Sequence, residues 1–173
     1  MNQSPNALLA LLIFPAISMA DCSSDSSFCH HTKLGILDQI TRVTSGDDYS
    51  YLTLNGVNIF KAKTDYISFM DDDMLDDDMG FFKNKKYFLT KTIATFTSNE
   101  PCSDREYSGF CSVSVVLDFS GDKPVISNGF TPDSGNSVID WVSWGKANAI
   151  IVFQDESKFK YEKGRVERVS NTK

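Results

Sequence analysis

Histidine is scarce in this sequence, and the familiar catalytic motifs are missing. The chain has 173 residues but only two histidines, which are adjacent at positions 30 and 31. It contains no Gly-x-Ser-x-Gly, no glycine-rich phosphate loop and no His-Glu-x-x-His, which argues against serine hydrolases, nucleotide-binding enzymes and zinc proteases. A hydrolase that uses a pair of catalytic carboxylates remains an alternative, because the chain contains 23 Asp and Glu residues. We expect a protein without catalytic residues, cofactor or metal.

Positive charge is also in the minority. Lys and Arg number 17 against 23 Asp and Glu, and the formal net charge is −6. Nucleic-acid binding depends on clustered cations that neutralise phosphates, so nucleic acid is not an expected partner. Beyond the first twenty residues, no apolar run approaches the roughly 18 residues of a membrane-spanning helix. We therefore expect one domain that does not insert into a membrane after the N-terminal segment is removed.

Residues 1–20 have the pattern of a secretory signal peptide. Ala7–Ile17 is almost continuously apolar, and Ser18-Met19-Ala20 is a small-x-small cleavage site. The apolar run is too short to serve comfortably as a membrane anchor. We predict cleavage after Ala20, so that residues 21–173 form a single β-rich domain in the periplasm or outside the cell.

The four cysteines fall into two close pairs along the chain. Cys22 and Cys29 flank one short polar segment, and Cys102 and Cys111 flank another. An even number of cysteines in an exported chain indicates disulfides. Four cysteines allow three connectivities, of which local pairing is the simplest. A zinc site built from Cys22, Cys29, His30 and His31 is the alternative, but these spacings do not fit the usual zinc motifs.

From position 49 onward, short strand-like runs alternate with turn residues. The clearest feature is a hairpin in which Tyr49–Leu54 and Val57–Ala62 flank Asn55-Gly56, the typical pair of a type I′ turn. Leu34–Val43 has apolar residues at helical spacing, which predicts a short helix. The further predicted strands are Tyr66–Met70, Lys86–Thr97, Ser112–Phe119, Val125-Ile126, Val138–Val142, Ala149–Phe153, Lys158–Glu162 and Arg165–Val169. The pattern predicts an all-β, antiparallel, meander-rich sandwich or partly open barrel with one short N-terminal helix.

An acidic segment at residues 71–78 carries charge equal to the whole net charge of the protein. Like-charge repulsion and the low strand and helix propensity of Asp predict an exposed loop. Three interpretations are open: a solubilising loop, a calcium site that lacks the usual calcium-loop pattern, or a docking loop for a basic partner that uses Met adaptably. Under the docking interpretation, the partner-binding residues are Asp71, Asp72, Asp73, Met74, Asp76, Asp77 and Asp78.

Trp141 and Trp144 are the second candidate for partner binding. Tryptophan is enriched among the residues that dominate interface energetics, and an exposed indole can also stack on a glycan. The alternative is that both close the core at the end of a strand.

From position 86 onward, the order of strand-like segments and loops resembles that of small exported β-rich proteins of Gram-negative bacteria. These include periplasmic immunity proteins paired with type VI secretion effectors. The resemblance rests on Tyr87-Phe-Leu, the Cys102–Cys111 loop, Ser114–Phe119, Pro124–Phe130, Val138–Trp141 and Ala149–Tyr161. It implies an inhibitor that binds a cognate toxic effector in the periplasm and occludes its active site. An envelope module that binds glycan or calcium, and a small secreted hydrolase with a carboxylate pair, are the alternatives. The neighbouring gene would distinguish them, because an inhibitor is normally encoded beside its effector.

Overall fold

The structure is a computed structural model that describes residues 29–69, 89–101 and 110–170. Within these ranges the chain forms twelve β-strands and one four-residue helix, arranged as three antiparallel four-stranded sheets. The predicted all-β class is therefore confirmed. The predicted signal peptide, Cys22, Cys102 and the acidic segment 71–78 lie outside the described residues. No helix in the described ranges has the length and apolar character needed to cross a membrane.

The N-terminal sheet is a meander in which neighbours in sequence are neighbours in space. Its strands are β1 (His30–Thr32), β2 (Gly35–Ile40), β3 (Ser50–Leu54) and β4 (Val57–Ala62). Asn55 and Gly56 join β3 to β4 with φ angles of 52° and 77°, as the predicted type I′ turn requires. The Asn55 side chain also braces the β1–β2 turn, because its Oδ1 accepts from the Ile36 N–H at 2.9 Å and its Nδ2 donates to the Leu34 carbonyl at 3.0 Å.

The helix predicted over Leu34–Val43 is wrong for most of its length, because β2 occupies this stretch. The helix α1 (Arg42–Ser45) is a single turn that begins only after Thr41, whose side chain accepts from the Thr44 N–H. Leu37 is fully buried, but Ile36 and Ile40 on the opposite face are half-buried. Both faces of the strand therefore carry apolar residues, and the sequence does not alternate as a half-exposed strand would.

The central sheet contains the longest strands. Its members are β5 (Ser68–Phe69), β6 (Lys91–Pro101), β7 (Phe110–Asp118) and β8 (Val125–Ile126). Of the strand predicted at Tyr66–Met70, Ser68 and Phe69 form β5, and Met70 lies outside the described residues. Ahead of β6, Leu89 pairs with β1, because its N–H donates to the His31 carbonyl at 2.7 Å and its carbonyl accepts from the Lys33 N–H at 3.3 Å. This pairing joins the central and N-terminal sheets.

The C-terminal sheet is a third meander. It consists of β9 (Ile139–Trp144), β10 (Asn148–Phe153), β11 (Lys158–Glu162) and β12 (Arg165–Arg168). The bounds of β11 agree with the prediction to the residue. Lys163 and Gly164 turn the chain between β11 and β12 with φ angles of 48° and 85°, so this hairpin also has positive φ at both central positions, as type I′ requires.

The central sheet is covered on both faces. Ile93 and Val116 pack with the C-terminal sheet, whereas Ala94, Val115 and Leu117 pack with the N-terminal sheet. Every residue of β7 from position 114 to 118 is consequently buried. A strand covered on both faces is expected to lose strict alternation, and the two outer sheets each keep one face toward solvent.

Candidate functional site

Of the two surfaces that the sequence predicted, the structure describes one. The acidic segment, with its candidate residues, lies outside the described residues and remains a prediction. Trp141 and Trp144 both lie on β9, at the edge of the C-terminal sheet. The site can therefore be built from the described residues around β9.

The two tryptophans differ in environment. Trp141 is 42% exposed, whereas Trp144 is half-buried and packs against the core between the C-terminal and central sheets. They are three positions apart on a strand whose successive side chains alternate between faces. Trp144 thus takes the core position that the alternative interpretation assigned to both residues, and Trp141 is the one available to a partner.

A local irregularity sets the position of Trp141. Trp141 pairs with Val152, but the next pair toward the start of β9 joins Ile139 to Phe153. Asp140 is therefore an extra residue in this strand, which is the arrangement of a β-bulge. Bulges re-aim side chains at sheet edges. Trp141 directly follows the bulge residue Asp140, and Val138, just before β9, is 55% exposed.

The loop at residues 131–137, which leads into β9, is fixed by the carboxylate of Asp155. Asp155 Oδ2 accepts from the Ser134 N–H at 2.7 Å, and Oδ1 accepts from the N–H and hydroxyl of Ser157 at 3.0 and 2.6 Å. In return, the Asp155 N–H donates to Ser137 Oγ at 3.0 Å. Partial burial alone would raise the pKa of Asp155, but these hydrogen bonds outweigh it and lower the pKa to about 2.

Two further contacts hold the same loop. The Ser112 N–H of β7 donates to the Gly135 carbonyl at 2.8 Å, and Arg168 of β12 forms an ion pair with Asp133. The loop is thus tied to the central sheet and to the far strand of its own sheet. A surface held in one conformation before binding loses less entropy when a partner arrives. We call the exposed side chains of Val138 and Trp141 and the tied loop 131–137 the Trp141 surface.

The outer face of the C-terminal sheet extends this surface with mixed chemistry. Trp141 lies opposite Val152, which in turn lies opposite Lys158 on β11. One row across the sheet therefore runs from aromatic to aliphatic to cationic. The next lysine, Lys160, is paired with Glu162 at 2.7 Å, and this contact raises the pKa of Lys160 and lowers that of Glu162.

The histidines and cysteines form no metal site in the described part of the chain. Among the described residues, no group of three or more His, Cys, Asp and Glu side chains is placed to hold a metal ion. His30 lies on β1 and packs edge-to-face against Phe69 at 5.2 Å between ring centroids. Neither Cys29 nor Cys111 is a free thiol. The local pairings stay predictions, because each involves a cysteine outside the described residues.

Comparisons with protein-family models, with curated proteins and with solved structures found no match for this chain. Function is therefore inferred from the chemistry of the site itself.

Neither the anchored loop nor Val138 could be recognised as part of a site from the sequence. From the sequence, Asp155-Glu156 is predicted only as a turn between two strands. A signal was nevertheless present, because an Asp two residues before a Ser commonly accepts a hydrogen bond from the main chain at that position. The link from Asp155 to Ser134 could not be found, since it joins residues 21 positions apart.

Proposed function

We propose that this chain is a non-catalytic inhibitor, a periplasmic immunity protein that binds a toxic secreted effector and occludes its active site. The observation that carries this proposal is the Trp141 surface. It presents an exposed tryptophan and an exposed valine beside a loop that hydrogen bonds hold in place. Interfaces concentrate their binding energy in a few such aromatic anchors, and tryptophan is prominent among them.

Export and disulfide formation belong to the same proposal. Signal cleavage after Ala20 would deliver the chain to an oxidising compartment, where disulfides persist. The predicted pairs Cys22–Cys29 and Cys102–Cys111 would form there. Intact-mass measurement of periplasmic protein tests both features, since four free thiols or retention of residues 1–20 would contradict them.

The two candidate surfaces would contribute differently to binding. A buried anchor such as Trp141 mainly lengthens the lifetime of a complex, whereas long-range charge mainly raises the association rate. The acidic segment 71–78 would steer a basic effector toward the protein, and its contribution would weaken as salt screens charges beyond about 10 Å. Salt dependence of the association rate, compared with that of a variant in which Asp72, Asp73, Asp76 and Asp77 are Asn, separates the two contributions.

A glycan-binding module of the cell envelope is the second candidate function. The exposed indole of Trp141 favours it, because aromatic rings offer an apolar face against which a sugar can stack. Titration with peptidoglycan fragments while tryptophan fluorescence is recorded would support this candidate if Trp141→Ala abolished the response.

The decisive experiment starts from the neighbouring gene. Its product is sent to the periplasm with and without this chain, and growth and complex formation are measured. We expect protection by the wild type, and Trp141→Ala should weaken the complex by roughly 30-fold, which corresponds to about 2 kcal/mol. Tyr66→Ala is the matched control, because Tyr66 is a 58% exposed aromatic residue that precedes β5 of the central sheet, away from β9 in sequence.

Two results would contradict the proposal. The first is a toxic neighbour that this chain neither binds nor neutralises. The second is equal loss of affinity in Trp141→Ala and Tyr66→Ala, which would show that the Trp141 surface is not the contact.

A further inference from the structure

One edge of the C-terminal sheet carries main-chain groups that face outward. β9 is the outermost strand on this side, and residues 110–170 are described without a gap, so the segments before and after β9 are both accounted for. The Gly145 N–H donates to the Asn148 carbonyl at 2.8 Å. Alternation from this pair turns the N–H and carbonyl groups of Val142 and Trp144 away from β10. No hydrogen bond from a described residue reaches them there. We call this side of β9 the β9 edge.

The two edges of the same sheet differ in this respect. At the other edge, on β12, Asn128 Oδ1 accepts from the Val166 N–H at 2.8 Å, and Asn128 Nδ2 donates to the Val166 carbonyl at 3.1 Å. A side chain therefore closes that edge. Along β9, the side chains of Asp140, Trp141 and Ser143 are exposed to solvent. An open strand edge is a template for pairing with another strand.

The main chain of the β9 edge is complementary to itself. In an antiparallel pairing of β9 with β9 of a second copy, a two-fold axis can pass beside Ser143, so that Ser143 faces its own equivalent. Val142 then exchanges N–H and carbonyl bonds with Trp144 of the second copy, and symmetry repeats the exchange. The outward groups of both residues are satisfied in this one register.

The same register also matches the side chains. It brings Asp140 of each copy beside Lys146 of the other, and both side chains are exposed. Opposite charges that face each other across antiparallel strands are favourable, whereas like charges are unfavourable. The register further sets the exposed indole of Trp141 against Gly145 of the second copy, which has no side chain to oppose it. Aromatic side chains cover glycine across a strand pair in this way.

We propose that the β9 edge is a dimerisation site and that its occupant is a second copy of this chain. The charge complementarity of Asp140 and Lys146 selects this occupant, because one short segment supplies both halves of each pair. An isologous contact closes on itself, so the expected product is a dimer in which the two C-terminal sheets become continuous. The dimer would cover Trp141, and dimerisation would therefore compete with a partner that binds the Trp141 surface. The proposal concerns the chain alone and does not depend on the proposed inhibitor function.

The first test is sedimentation velocity of the chain from Asp21 to Lys173 over a concentration series. We expect the wild type to pass from monomer to dimer below about 0.5 mM. Asp140→Lys and Lys146→Asp should each weaken dimerisation about tenfold or more, because each replaces attractions by repulsions at both symmetric pairs. The double variant should recover wild-type dimerisation, since both pairs form again with reversed sign. Lys163→Asp is the control with the same change of net charge as Lys146→Asp. It lies at an exposed turn beyond β11 and should dimerise as the wild type does.

Two results of this test would overturn the proposal. One is a wild type that stays monomeric up to about 0.5 mM. The other is a double variant that dimerises no better than the two single variants, because the contact would then not bring Asp140 beside Lys146.

The second test locates the contact. The main-chain amides of Val142 and Trp144 should exchange with deuterium several-fold more slowly as the concentration rises through the dimerisation range, because they become bonded across the two-fold axis. Asp140→Lys should abolish this slowing. Protection at another strand edge such as β4, or protection of these two amides only after the product of the neighbouring gene is added, would overturn the proposal. Failure to neutralise that product, with both tests otherwise as expected, would count against the proposed inhibitor function alone.

Discussion

The two outer sheets cover opposite faces of the same central sheet, but they are attached to it by different means. The core beneath the C-terminal sheet is aromatic, with the rings of Phe130, Phe153 and Phe159 at 5.2–6.1 Å from one another. The core beneath the N-terminal sheet is mainly aliphatic, and Leu52 is one of its fully buried residues. Ring packing adds specific geometry to the area that is buried.

Polar contacts reinforce this difference. Tyr161 of β11 donates to Asp118 Oδ2 of β7 at 2.9 Å in the buried interior, and the side chain of Asn128 binds both main-chain groups of Val166. In the N-terminal sheet, the buried hydroxyl of Ser50 donates to the carbonyls of residues 64 and 65, which follow a strand of the same sheet. The C-terminal sheet is therefore fixed to the central sheet by aromatic packing and by the buried bond between Tyr161 and Asp118, whereas the N-terminal sheet is joined to it by aliphatic packing and by main-chain bonds to Leu89. We expect the N-terminal sheet to open more readily, because its packing lacks the specific geometry of the aromatic rings.

The largest expected effect comes from truncating one large buried side chain in each of the two cores. Phe153→Ala should lower the free energy of unfolding by about 3–5 kcal/mol, and Leu52→Ala by about 2–5 kcal/mol. Urea denaturation measures both losses. Hydrogen exchange should distinguish them, because Leu52→Ala should accelerate exchange in β1–β4 more than in β9–β12. Equal acceleration in both outer sheets would contradict the difference between them.

Removing the buried hydroxyl of Tyr161 should be the next largest change. Tyr161→Phe leaves Asp118 Oδ2 without its donor, which should cost about 1–3 kcal/mol at neutral pH. Burial and the hydrogen bond to Asp118 raise the pKa of Tyr161 to about 12, above the ordinary 10. The stability that comes from keeping Tyr161 protonated is therefore complete below pH 10 and is lost as pH rises toward 12. Urea midpoints across this range should fall more steeply in the wild type than in Tyr161→Phe. Parallel profiles would exclude this role for Tyr161.

At low pH, protonation of Asp155 should weaken the hydrogen bonds that hold the loop of the Trp141 surface. Because its pKa is lowered to about 2, its contribution of about 2 kcal/mol is present above the ordinary value near 4 and disappears as pH falls to 2. In Asp155→Asn, one of the two oxygens becomes a donor and cannot accept from both Ser134 and Ser157. The stability gap between this variant and the wild type should close between pH 4 and pH 2. Asp140→Asn, at an exposed position on the same sheet, should show no such gap at pH 6.

The smallest expected effect compares the two matched hairpins. Gly56 and Gly164 have similar positive φ, but a Cβ at Gly164 would lie 2.7 Å from Val125 Cγ1, while a Cβ at Gly56 would meet nothing within 4 Å. Gly56→Ala should lower the free energy of unfolding by about 1–2 kcal/mol through backbone strain alone. Gly164→Ala should lose more, because Val125 must also move. Thermal denaturation of both variants checks which one is less stable. Equal losses of stability would mean that Val125 of β8 moves aside at no energetic cost.

The hairpins could be predicted from sequence because their information is local. Asn55-Gly56 fixed one turn, and the alternation from Lys158 to Glu162 gave β11 its bounds. The burial of Ser114 and Asp118 could not be predicted in this way, since their polar groups are satisfied by Thr95 and Tyr161 from distant parts of the chain. For the candidate site, the sequence points to Trp141 and Trp144 together but not to their different environments. That difference depends on which face the core covers.

The succession of three meanders also has a consequence for how the chain folds. Each sheet is assembled from one continuous stretch, and each strand pairs with the strand before or after it within its sheet. Short sequence separation between contacts is associated with fast folding, whereas distant strand pairing slows all-β proteins. Strand pairing here can proceed as the chain emerges, from its N-terminal end onward. Apart from the pairing of β1 with Leu89, remote residues come together when the finished sheets stack, so we expect stacking, and above all the burial of β7, to limit the rate of folding.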